Sequence, residues 1–243
     1  MGRLPLATTP ELKHKALLVH QRLIQVLGKR RRKRPLDPIA QLVSTILSQN
    51  TNDTLRDQAF NSLRRRFPTW EQVRDAPTEE VIEAIKIAGL SKQKGPHIQQ
   101  ALRRISEARG ELTLDFLREK SVEEAREWLT ASKGVGPKTA AIILLFSLGM
   151  PAFPVDTHIH RVTKRLGLIP QNASREKAHE LLQDLLPPEA YYDFHLNVIR
   201  HGREVCQARR PRCELCGLSN LCDYYRTFAL ALMSPQARAD RQP

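Results

Sequence analysis

Apolar residues recur along this chain every three or four positions, and strict alternation is scarce. Over 11–27 (ELKHKALLVHQRLIQVL) Leu12, Ala16, Val19, Leu23 and Val26 fall along one stripe, the pattern of an amphipathic helix. The same period predicts helices over 38–48, 53–66, 78–88, 92–109, 121–131, 137–148, 157–166, 174–186 and 189–204, then a short helix and a frayed tail after Cys222. Punctuation agrees with the period. Ser121 followed by Glu124 makes a capping box, and Thr78 after Pro77 reads as an N-cap. Gly89, Gly110, Gly149 and Gly167 stand where helices should stop, and Pro35, Pro68, Pro151 and Pro187 lie in the connections. The fold class is all-α.

With 243 residues the chain can bury a core in one large domain or two small ones. It has no run of about twenty apolar residues, so no membrane span is expected. The opening MGRLPLATTPELKHK lacks the apolar centre of a secretory signal, which predicts a reducing compartment: cytoplasmic, or nuclear in a eukaryote. Thirty-nine Lys and Arg against 26 Asp and Glu leave a charge of +13, so a polyanion, nucleic acid above all, is the leading partner. Aromatic residues make up 5% of the chain, which argues against a stacking platform for single strands. The run Lys29-Arg30-Arg31-Arg32-Lys33-Arg34 repels itself and is expected to be a solvated linker, with phosphate contacts or a targeting signal as further readings.

All four cysteines sit near the end in the pattern C-x6-C-x2-C-x5-C: Cys206, Cys213, Cys216 and Cys222. Four thiolates so close together can wrap one metal centre, and a cubic iron–sulfur cluster needs a ligand at each corner. Zinc is the rival, although only Cys213 and Cys216 form a zinc-type knuckle. A disulfide framework fits poorly, since the long chain ahead of the four holds no cysteine.

Residues 129–143 read LTASKGVGPKTAAII. One helix ends, Gly134-Val135-Gly136 turns, and Pro137 opens the next helix at its first position. Such a turn lets successive N–H groups and a helix N-terminus face a phosphate oxygen. His158 and His160 form an H-x-H pair, but i and i+2 face apart on a helix, so a metal site there is not expected.

Gly134 to Ala140, Val155 to Arg161 and the four cysteines together closely resemble the endonuclease III family of DNA repair glycosylases, over about residues 36–224. The resemblance implies a helix–hairpin–helix motif and two helical domains flanking a DNA cleft. One domain would span 36–150, and 1–35 plus 151–225 would carry a [4Fe-4S] cluster on Cys206, Cys213, Cys216 and Cys222, with 226–243 as a tail. It implies a monomer acting on double-stranded DNA with damaged bases or abasic sites. Lys138 matches the family's Schiff-base nucleophile in G-x-G-x-K-T-A, and Asp156 its catalytic carboxylate, the two facing each other across the domain boundary. Relatives that remove adenine or mismatched thymine generally lack this lysine, so the resemblance implies a bifunctional glycosylase and abasic-site lyase for oxidised pyrimidines. A monofunctional glycosylase and a non-enzymatic DNA-binding module are the alternatives.

To act as a nucleophile Lys138 must lose its proton, which burial, the helix N-terminus and neighbouring cations would favour. Asp156 would stabilise the oxocarbenium-like charge at C1′, and by default a lone Asp opening a helix is an N-cap. A flipped-out nucleotide leaves a gap. The resemblance places Leu90 as the wedge, and a polar amide, Asn50 with Gln49 beside it, as the second filler where the family commonly has glutamine. DNA contacts fall to Gly134, Val135, Gly136, Thr139 and His158. Arg209, Arg210 and Arg212 join them from a loop pinned by two cysteines.

Overall fold

A computed structural model describes residues 8–31 and 34–232. Among these residues the chain forms α-helices and no strand: α1 (Pro10–Leu27), α2 (Pro38–Leu47), α3 (Asp53–Arg66), α4 (Trp70–Asp75), α5 (Thr78–Ala84), α6 (Ser91–Arg109), α7 (Val122–Thr130), α8 (Pro137–Ile142), α9 (Thr157–Arg165), α10 (Arg175–Leu185), α11 (Tyr191–Glu204) and α12 (Asp223–Leu232). The chain divides into two compact units, Arg32–Pro154 and the pair of flanking segments Met1–Arg31 with Val155–Pro243.

In the first unit α2 is the central element. Its sequence PIAQLVSTIL is apolar nearly all round, and Ile39, Leu42, Val43, Ile46 and Leu47 are buried between α3, α6 and α8. Ile98, Leu102, Leu129 and Leu144 complete that core. In the second unit α11 packs on α1 and α9, and Phe194 and Val198 of α11, Ala16, Val19 and Leu23 of α1, and Ile159 and Val162 of α9 are all buried. Val26, expected on the α1 stripe, is 54% exposed, so the buried stripe ends at Leu23.

Several elements depart from the sequence reading. The segment 78–88 is not one helix: α5 ends at Ala84 and a tight turn follows over Lys86–Ala88. Thr78 is not a cap, because Pro77 holds that position and the Thr78 hydroxyl donates to Gln99 Oε1 at 2.8 Å. The box at Ser121 and Glu124 forms in both directions. α4 is too short to show a period, yet Thr69 and Gln72 carry the same box and were a legible signal for it. Beyond α8 the backbone widens, and Leu148 N–H reaches Ile143 O, five residues back, at 3.1 Å. Arg118 satisfies carbonyls at that helix end, donating to Ser147 and Leu148.

The basic run also departs from a free linker at its start. Arg30 donates its backbone N–H to Asp193 at 2.6 Å and its Nε to Asn197, while Asn197 donates to Gly28 O at 3.1 Å. Arg31 and Arg34 are exposed, and Arg32 and Lys33 lie outside the described residues.

Candidate nucleic-acid interface and metal centre

The hairpin turn is held from behind. Gly134 has φ +80°, open to glycine at little cost, and a Cβ there would lie 2.6 Å from His97 Nδ1 on α6. Its carbonyl accepts the Gln49 side-chain N–H at 2.8 Å, and Val135 N–H bonds Ser132 O at 3.1 Å. Arg104 on α6 donates to Ser132 Oγ at 2.9 Å and to Trp128 O at 2.6 Å, with its guanidinium over the Trp128 ring. α6 is therefore the frame on which the turn rests.

Two of the predicted DNA contacts turn inward. Val135 and Thr139 are 4% exposed each, so only their backbone can meet a ligand. Gly136 has φ −88° and nothing within 4 Å of where a Cβ would be, so its bare backbone faces open space. α8 opens with Pro137 and carries no side-chain cap, which leaves the Lys138 and Thr139 N–H groups without an intrahelical acceptor. Lys138 is exposed in this first turn, so the burial expected for a nucleophilic amine is not supplied by the chain itself.

The proposed gap-fillers divide in the same way. Gln49 is committed to Gly134 and braces the hairpin instead of projecting free. Asn50, next to it, is exposed at φ 51°. Leu90 is 48% exposed, also at φ 51°, and occupies the N-cap of α6, where a leucine can make no capping bond. Among the described residues these are the non-glycine residues with positive φ. For a bulky side chain that conformation costs of order 1–2 kcal/mol, and such outliers gather at functional sites.

In the other unit Asp156 caps α9, accepting the Ile159 N–H on Oδ1 at 2.8 Å. His158, the second residue of α9, is half-buried beside Gly202, and its Nδ1 lies 3.2 Å from an Arg161 nitrogen. Burial pushes its pKa below the usual histidine value, and the Asp156 carboxylate opposes that shift. His160 turns elsewhere, with Nε2 2.9 Å from Ala173 O.

Cys206, Cys213, Cys216 and Cys222 line one small cavity with Val162, Leu166 and Pro211. Among the described residues no three His, Cys, Asp or Glu side chains converge closely enough for a single ion. Four thiols around one cavity are the donor set of an iron–sulfur cluster, and a four-thiolate zinc site would draw on the same set. Burial pushes the Cys216 thiol up to about 11 and raises Cys213 and Cys222 as well, so by themselves these groups stay protonated, and only a cationic partner would draw them out as thiolates.

Two arginines missed by the sequence reading organise this region. Arg161 donates to Cys206 O at 3.1 Å and to Gly202 O at 2.9 Å. Arg165 bonds Gln207 O at 2.7 Å and Ala208 O at 2.8 Å, and its guanidinium lies 4.8 Å from the Tyr224 ring centre. Arg209, Arg210 and Arg212 stand exposed on the loop so held. The signal for Arg161 and Arg165 was their i, i+4 spacing on a helix that opens with Asp156.

Residues 43–188 match the HhH-GPD superfamily base excision DNA repair protein model. A relative from Arabidopsis thaliana is 40% identical over 68% of this chain, which spans 56% of that relative's length. Endonuclease III of Thermotoga maritima is 34% identical over 78% of this chain and 84% of its own. A solved non-covalent endonuclease III–DNA complex superimposes with a TM-score of 0.77 at 26% identity, covering 89% of this chain and 98% of that one.

Proposed function

Since the chain belongs to the HhH-GPD superfamily of base excision DNA repair proteins and to its endonuclease III family, we propose that it is a bifunctional DNA glycosylase and abasic-site lyase acting on oxidised pyrimidines. The observation that carries this reading is Lys138, exposed in the first turn of α8 directly after a braced hairpin. A phosphate clip could also use a lysine there as a phosphate contact, and what favours the nucleophile is the position of Lys138 directly before Thr139-Ala140, where the family carries its Schiff-base lysine.

The hairpin grips one phosphate through backbone N–H groups and the start of α8, without reading sequence. Leu90 enters the stack as the target nucleotide swings out, and Asn50 offers its amide to the orphaned partner base. The deprotonated Lys138 amine attacks C1′ as the C1′–N bond breaks, and the base leaves with the electron pair and takes up a proton. The Asp156 carboxylate stabilises positive charge at C1′ through this step. The sugar ring opens to an imine on Lys138. Loss of a C2′ proton then expels the 3′ phosphate, and water releases the lysine. His158 and the arginines 209, 210 and 212 bind backbone phosphate.

Cys206, Cys213, Cys216 and Cys222 would hold a [4Fe-4S] cluster. It would hold the arginine loop in place, and the steps above call on none of its electrons.

Borohydride reduction on abasic duplex DNA tests the central claim. Wild-type protein should give a covalent adduct, and Lys138→Ala should give none. A wild-type chain that releases base without an adduct would establish a monofunctional glycosylase, and DNA binding without base release would leave only the module.

A further inference from the structure

Lys94 lies on α6 one turn after Leu90 and is 2% exposed, buried among apolar residues with no carboxylate beside it. Buried cations are ordinarily paired with an anion, so its partners are informative. Its Nζ donates to Leu47 O at 2.8 Å and to Ala88 O at 2.9 Å. Leu47 is the last residue of α2, where unpaired carbonyls and the negative end of the helix supply the countercharge. Ala88 ends the tight turn before Leu90. One ammonium group therefore joins two backbone segments, and each leads within three residues to a non-glycine position with positive φ, Asn50 or Leu90. The backbone N–H of Lys94 adds a third hold, bonding Leu90 O at 2.9 Å.

We propose that Lys94 is a positioning residue that yokes the Asn50 and Leu90 loops, so that the two side chains enter the DNA stack as one rigid unit. This rests on the assignment of Asn50 and Leu90 as gap-fillers. Leu90 holds its strained conformation only when its surroundings over-determine it, asparagine tolerates a positive φ at lower cost, and a shared ammonium fixes the backbone leading to both. Helix capping alone would need one carbonyl partner. The second, on a separate turn, is what couples them.

A double-mutant cycle reads the coupling directly. The measurement is affinity for a duplex carrying a tetrahydrofuran abasic-site analogue, for Leu90→Ala, Asn50→Ala and the pair. In the presence of Lys94 the double variant should depart from the product of the single effects by about fivefold or more. In a Lys94→Met background the effects should multiply independently. Lys94→Arg keeps the donors and should keep the coupling, whatever either variant does to the melting temperature. The yoke is overturned if the cycle shows no coupling with Lys94 present, if coupling survives Lys94→Met, or if folded Lys94→Arg abolishes it. Single variants that bind like wild type would instead overturn the gap-filler assignment itself.

Discussion

Asp156 Oδ1 accepts the Ile159 backbone N–H at 2.8 Å, so the carboxylate assigned to the chemistry is also the cap that starts α9. The two roles separate by substitution. Asp156→Asn keeps an acceptor oxygen and removes the charge, and should leave the melting temperature within a degree or two while base release falls by about a hundredfold or more. Asp156→Ala should lose the cap as well, about 1 kcal/mol, or roughly 2–4 °C in a chain of this size. Calorimetry beside a single-turnover glycosylase assay checks both, and an Asn variant with wild-type base release would remove Asp156 from the mechanism.

The two hairpin glycines should respond in opposite ways. Gly134→Ala needs φ +80° and drives a Cβ to 2.6 Å from His97, so it should destabilise the fold by about 2 kcal/mol or more. Gly136→Ala meets nothing within 4 Å and has an ordinary φ, so it should melt like wild type. If a phosphate approaches that backbone, the added methyl should weaken binding to undamaged duplex by several-fold. Equal binding by Gly136→Ala and wild type in a fluorescence titration would place the phosphate elsewhere.

Gln49 links the two loop systems of the Arg32–Pro154 unit through Gly134 O. Gln49→Ala should cost about 1 kcal/mol from the unmade bond, and Gln49→Glu should cost more by setting a carboxylate against a carbonyl. Thermal melts of the two variants decide this, with an unchanged midpoint in both counting against the brace.

Arg165 fixes the start of the arginine loop through two carbonyls. Arg165→Lys cannot reproduce a planar fork to both oxygens or its contact with Tyr224. We expect faster loss of visible cluster absorbance and roughly tenfold weaker DNA binding, from two charge-assisted hydrogen bonds disrupted. Wild-type cluster lifetime and affinity in this variant would mean that the loop holds itself.

Burial lowers the pKa of His158, so its fold favours the neutral ring. The stability this confers is present above the unfolded value near 6.5 and is lost as pH falls below it. Wild type should therefore lose stability relative to His158→Gln between pH 7 and pH 5, and at neutral pH His158 would meet phosphate as an N–H donor without charge. Parallel melting curves for the two proteins across that range would show that His158 titrates as it does when unfolded.

Much of the site was legible because its signals are local. A capping box spans four residues, a glycine turn three, and the cysteine pattern one short segment, so each declares itself in the text. The burial of the Thr139 side chain was not legible, for a related reason. Its place in the motif is visible, but which face of α8 is buried depends on what packs against that helix.

The sequence alone therefore determined the helical class, nearly all the helix positions, the hairpin, and the residues to which chemistry is assigned. Periodicity, capping and spacing act between near neighbours. Tertiary structure decided what each side chain is used for. Gln49 finds Gly134 across 85 residues, Arg30 finds Asp193 across 163, and Lys94 finds Leu47 across 47. A polar group removed from water must be satisfied wherever the fold places an acceptor, and no local pattern records where that acceptor will be.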